Sequence, residues 1–150
     1  MRILLPVYGT DDTKLIVDFV CNYRWPPHPT FKLIHVVGGS NTDMSVLMSE
    51  ASAESLIVEV VKRLSLLLPS AEVTWEIVGG EAVLEIINMA NDWEADMIVM
   101  GYRKRNTMHD YVIASVSKAV AMQAPCSVAI ISPPKGRSAS ALEDSIAATG

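Results

Sequence analysis

Cysteine is scarce in this chain, with only Cys21 and Cys126 among 150 residues. Two thiols rule out a disulfide-dense scaffold, and without a secretory signal pattern they fit a reducing, cytoplasmic setting. Cys21 sits in a helical pattern and Cys126 in a strand pattern, where thiols usually serve as small core side chains. Charge is modest too: 19% of residues are charged and the net charge is -5. That balance argues against nucleic acid as a partner, because such binding neutralises phosphates with Lys and Arg. The only basic cluster, Arg103-Lys104-Arg105, is too short to reverse it. No apolar run approaches the ~18 residues of a transmembrane helix, so no membrane partner is expected. The chain opens directly on a strand pattern, and no targeting segment is expected ahead of the fold.

Chemical signatures are missing as well. No His, Cys, Asp or Glu spacing suits zinc or another metal. Neither G-x-G-x-x-G nor G-x-x-x-x-G-K-[ST] occurs, and there is no G-x-S-x-G elbow. His109-Asp110 lies near Ser115, but adjacent residues rarely orient each other as a triad requires. With no metal carboxylate pair and no placed general base, catalysis is not expected. His35 lies within an apolar strand pattern and reads as a hydrogen-bonded core histidine. His28, between prolines, reads as an exposed loop residue.

What the chain does have is apolar patterning, since half its residues are hydrophobic. A single domain of this length buries roughly 70% of its unfolded surface. Arg2 to Val7 is a short apolar run of the kind covered on both faces of a sheet. Thr10 is positioned to cap a helix whose first turn takes Asp11 and Asp12. Leu15, Ile16, Phe19, Val20 and Tyr23 then form its inner stripe. Trp25-Pro26-Pro27-His28-Pro29 ends that helix. A second strand spans Phe31 to Val37, and a helix from about Met44 to Leu68 stops at Pro69. The third strand, Ala71 to Val78, alternates more clearly and belongs at a sheet edge. Gly79-Gly80 turn the chain into a helix with Val83, Ile86, Ile87, Ala90 and Trp93 inward. Asp96 to Met100 is strand four, Met108 to Gln123 the last helix, and Cys126 to Ile131 strand five. Five strands alternating with four helices imply an α/β fold, a parallel sheet with helices on both faces. Periodicity does not fix the strand order.

The stretch from Asp96 to Ser117 holds the functional signal. A strand ends at Gly101, a basic and polar loop follows, and serines stand at the mouth of the next helical pattern. Loops at the carboxyl ends of parallel strands, with helix N-termini beside them, are where anionic ligands gather. Two readings of the 103–105 run stand side by side: an anion clamp, or a solvated loop. Ser115 likewise suits a phosphate contact or a helix cap.

MRILLPV, LIHVV, ADMIVMG, SVSKAV and APCSVAII together resemble the universal stress protein family, over about residues 1–132. The resemblance implies an open five-stranded parallel sheet in order 3-2-1-4-5, Rossmann-like and of the adenine nucleotide alpha hydrolase-like type. Tyr8 and Gly101, at the ends of strands one and four, would flank one crevice. Nucleotide-binding members carry a glycine, two residues, a second glycine, nine residues, then glycine and serine or threonine. They also carry an aspartate just after strand one. Here Gly101 matches the first glycine, Lys104 replaces the second, Ala114 replaces the third, and Ser115 keeps the hydroxyl. Tyr8 stands in place of the aspartate. Val36, Met100, Val116 and Ser117 match pocket-lining positions.

Ala114 adds one methyl group. Lys104 blocks close approach of backbone N–H groups to a phosphate, although its ammonium can act as a point charge beside Arg103 and Arg105. Tyr8 replaces a small acceptor with a ring that can fill the adenosine space. The expectation is therefore a stress-response protein of the branch that does not bind ATP, acting without a cofactor through an unknown protein partner. An ATP- or AMP-binding switch using Gly101, Ser115 and the 103–105 loop is the alternative. The resemblance also implies a homodimer paired through strand 126–131, an apolar sheet edge. Residues 133–150, rich in Pro, Ser and Ala, read as a flexible C-terminal tail.

Overall fold

A computed structural model of the chain describes residues 1–38, 50–102 and 108–133, with the side chains of 50 and 108–114 outside that description. The element order is β1 (Arg2–Pro6), α1 (Thr10–Asn22), β2 (Thr30–Val37), α2 (Glu50–Leu67), β3 (Glu72–Gly79), α3 (Ala82–Asp92), β4 (Met97–Gly101), α4 (Met108–Gln123) and β5 (Ser127–Ile131). The strands form one parallel sheet in order β3-β2-β1-β4-β5. Strand β1 lies at its centre, and the alternating β3 falls at an edge as its pattern suggests.

The central strands carry apolar side chains on both faces, and each face has its own core. Ile3 and Leu5 of β1, with Val7 just beyond it, pack with Phe31, Leu33 and Val99 under α1 and α2. Leu4 and Tyr8 point the other way, into a cluster with Ile34, Val36, Ile98 and Met100 under α3 and α4. A fully buried side chain of this size contributes about 1.5–3 kcal/mol relative to leaving it exposed. Two such layers explain why β1 reads as a continuous apolar run.

Local chemistry sets the ends of the elements. Helix α1 opens on Gly9 as N-cap, with no side-chain cap hydrogen bond, so the expected Thr10 cap does not form. Thr10 is already the first helical residue; Thr13 Oγ1 instead donates to the Gly9 carbonyl at 2.6 Å. The helix closes before the prolines, where Trp25 Nε1 donates to the Val20 carbonyl at 2.8 Å. Helix α3 is capped by Glu81, whose carboxylate accepts from the Val83 and Leu84 N–H groups. Gly80, at φ +146, makes the preceding turn, and a Cβ there would lie 2.7 Å from Glu85 Oε1. At the opposite end of the sheet the Arg2 N–H donates to the Asp96 carboxylate at 2.7 Å, locking the start of β1 to that of β4. Cys126 falls just outside β5, whose first residue is Ser127. The residues expected to begin α2, from Met44 to Ser49, and nearly all of the 133–150 tail lie outside the described residues.

Candidate functional site

In the observed order, β1 has β2 on one side and β4 on the other, so the chain leaving β1 and the chain leaving β4 diverge to opposite faces. The crevice outside these two strand ends is the expected ligand position in an open α/β sheet. Its walls follow from the residues around Tyr8 and Gly101.

Tyr8 lies two residues beyond β1 and is only 4% exposed. Its ring joins Val36, Met100 and Val120 in the α3/α4 core, with Val116 packed against them. Four of the positions singled out by sequence, Tyr8, Val36, Met100 and Val116, thus come together in one apolar cluster. The Tyr8 hydroxyl has no hydrogen-bond partner among the described residues. Burial, and then the nearby Glu81 carboxylate, push its pKa far above the ordinary phenol value, because both disfavour the phenolate.

Gly101 turns to the other face. A Cβ placed on it would lie 3.1 Å from Asp12 Cβ and 3.4 Å from both Asp12 Cα and the Asp12 carbonyl oxygen. The glycine therefore allows the first turn of α1 to sit close against the end of β4. Asp12 itself is 2% exposed. The sequence showed its place in the first turn of the helix, and only the packing of α1 on β4 buries it.

The serines depart from expectation. Helix α4 already runs from Met108, so Ser115 lies about two turns inside it and not at its mouth. Its backbone N–H belongs to the helical ladder, and the unpaired donors that attract anions lie at the start of the helix. Ser115 therefore does not cap the start of α4; its side chain is exposed. Ser117 is 1% exposed. Ala114 contributes its backbone to α4, with its side chain outside the described residues. Lys104 and its neighbours Arg103 and Arg105 lie outside them altogether.

On the other face, His35 is buried and its Nδ1 lies 2.8 Å from the Val7 carbonyl oxygen. A carbonyl only accepts, so Nδ1 carries the hydrogen. This is the core histidine the pattern suggested. Burial pushes the Cys21 and Cys126 thiols up, away from the thiolate that reactive cysteines require. Among the described residues, no three His, Cys, Asp or Glu side chains gather in a way that could hold a metal ion. Nor is any described helix long and apolar enough to cross a membrane.

The model of the Universal stress protein family matches residues 1–132. The chain belongs to that family. Among curated proteins, this universal stress protein is similar to Stress response protein NhaX of Bacillus subtilis (strain 168). The two are 26% identical over 128 residues, covering 80% of this chain and 73% of the relative. Among solved structures it is similar to the hypothetical protein MJ0577, with a TM-score of 0.71 and 18% identity, covering 90% of this chain and 97% of that one. It is also similar to the universal stress protein from Archaeoglobus fulgidus in complex with dAMP. There the TM-score is 0.61 and the identity 19%, covering 87% of this chain and 97% of that one. These likenesses agree with the sheet order and the arrangement of helices described above.

Proposed function

We propose that this universal stress protein is a non-catalytic stress-response module that works as a homodimer and through a protein partner. In this reading the ancestral nucleotide crevice is closed by Tyr8. The observation that carries it is the burial of the Tyr8 ring against Val36, Met100 and Val116. A carboxylate at that position would accept hydrogen bonds from a ligand; a ring packed in an apolar cluster occupies the space instead. Two further facts support the reading: the packing role of Gly101 against Asp12, and the start of α4 ahead of Ser115. Dimerisation would use β5, an edge of the sheet on which Ile130 is 40% exposed.

The second reading is an adenine-nucleotide switch holding ATP or AMP through Gly101, Ser115 and the 103–105 loop. It is favoured by the Archaeoglobus fulgidus structure, a protein of similar fold in complex with dAMP. A calorimetric titration of the purified protein with ATP and magnesium separates the two, together with a denaturing extraction for co-purified nucleotide. The first reading expects a flat titration and an empty extract. Micromolar binding overturns it. The triple variant Tyr8→Asp, Lys104→Gly, Ala114→Gly is expected to gain binding. No gain would mean that these three positions are not what closes the crevice.

A further inference from the structure

Strand β3 is the outermost strand of the sheet at the end opposite β5. It pairs with β2 without a break over eight positions, from Thr30↔Glu72 to Val37↔Gly79, and among the described residues no strand pairs with its other side. Edge strands are normally blunted by shortness, proline, charged side chains (lysine above all) or a bulge, and β3 has only the charges of Glu72 and Glu76. Here the continuous register excludes a bulge, the strand is longer than β1, β4 or β5, and EVTWEIVG contains neither Pro nor Lys.

The two faces of this edge differ. Val73 and Ile77 pack toward the α1/α2 core, so Trp75, between them at period two, belongs to the same face. Trp75 is 39% exposed, and Val58 of the covering helix α2 is 38% exposed. Val78 packs toward the other core, which puts Glu72 and Glu76 on its face. Both glutamates are exposed, with Glu76 only partly engaged by Lys32 at 3.3 Å. The edge thus offers a row of main-chain groups, an apolar side and an acidic side.

We propose that β3 is a docking edge for an extended segment of a partner protein whose residues alternate basic and apolar. An added strand would bond its main chain to β3, setting its apolar side chains beside Trp75 and its basic ones beside Glu72 and Glu76. Charge disfavours a second copy of this chain: antiparallel β3–β3 pairing would bring the two acidic faces together, and like charges opposite each other destabilise a ladder. The surface gives chemistry to the partner in the function proposed above, but its test is independent of nucleotide binding.

The probe is a capped eight-residue peptide alternating Lys and Val, compared with a block peptide of the same composition. The alternating peptide is expected to bind about tenfold more tightly, a difference of about 1.4 kcal/mol, and to slow hydrogen exchange in β3 but not in β5. The double variant Trp75→Ser, Glu76→Lys should lose that binding with an unchanged circular dichroism spectrum. Glu72→Lys, at the exposed start of the strand, provides the same test if the double variant is unstable. Absence of binding, equal binding of the two peptides, protection elsewhere, or full affinity in the folded variants overturns the proposal.

Discussion

Replacing Gly101 by alanine separates two reasons for a glycine at the end of β4. If the residue is there to admit a phosphate, alanine weakens ligand binding and leaves the ligand-free protein untouched. If it is there for packing, the ligand-free protein suffers. The distances favour the second outcome. The added methyl group would meet Asp12 Cβ at 3.1 Å and the Asp12 Cα and carbonyl oxygen at 3.4 Å. All three atoms belong to the helix frame, so no flexible side-chain tip can swing away, and α1 or β4 must shift by a few tenths of an ångström. Overpacking of this kind costs about 1–3 kcal/mol. The Gly101 backbone is not in the left-handed region, so alanine regains about 0.4–1 kcal/mol by restricting the unfolded chain. Taking the middle of each range, the expected net loss is about 1.3 kcal/mol, read by urea unfolding as a lower midpoint with an unchanged slope. At about 2–4 °C per kcal/mol for a chain of this size, the melting temperature should fall by about 3–5 °C. Asp12→Ala keeps all three contacting atoms, so in that background the Gly101→Ala cost should persist nearly unchanged. A Gly101→Ala protein as stable as wild type without ligand would refute the packing argument.

Other expectations follow from single residues. Tyr8→Phe removes a buried hydroxyl that has no partner among the described residues, so it should raise stability by about 1 kcal/mol; a fall in the thermal midpoint would reveal a partner for that hydroxyl. Because the folded-state pKa of Tyr8 lies above its unfolded value, the stability linked to this group is intact below about pH 10. It is lost progressively above that pH, as the unfolded state gives up its proton first. Urea unfolding between pH 9 and 11 should show that decline in wild type and a shallower one in Tyr8→Phe. Glu81→Ala removes the acceptor for the Val83 and Leu84 N–H groups and should cost about 1 kcal/mol by the same assay. Ile130→Lys alters a side chain already 40% exposed; light scattering should report monomers, and a dimer that survives would count against pairing through β5.

Much of the architecture was legible because period and punctuation agree along this chain. Apolar runs at β1 and β4 announced strands covered on both faces, and the alternation of AEVTWEIV announced an edge. Prolines 26, 27, 29, 69 and 125 stopped the elements before them. Sheet order was not in the periodicity; it came from the resemblance, and the observed pairings agree with it. The site was read less completely. Tyr8, Val36, Met100 and Val116 do converge, since inward positions near strand ends on one face must meet. The role of Gly101 was not legible, because a close approach between β4 and α1 joins residues far apart in sequence. Ser115 was misplaced for a local reason. Serine favours helix starts, but MHDYVIA before it continues the helical pattern, and that continuation outweighs the preference of one residue. Thr10 does not cap α1 because it is already the first helical residue, which leaves Gly9, with no side chain to accept a bond, at the N-cap.

The central position of β1 has a consequence during synthesis. Strand β1 needs partners on both sides, and these become available at very different times. Strand β2 follows after one short helix, whereas β4 begins only at Met97. Until then one edge of a strand with apolar side chains on both faces stays open in the growing chain, and such edges are where nascent chains stick to one another. The interval between β2 and β4 is thus the one in which a chaperone would have most to protect. Slowing translation between residues 38 and 96 should lower the soluble yield more than slowing it after residue 101.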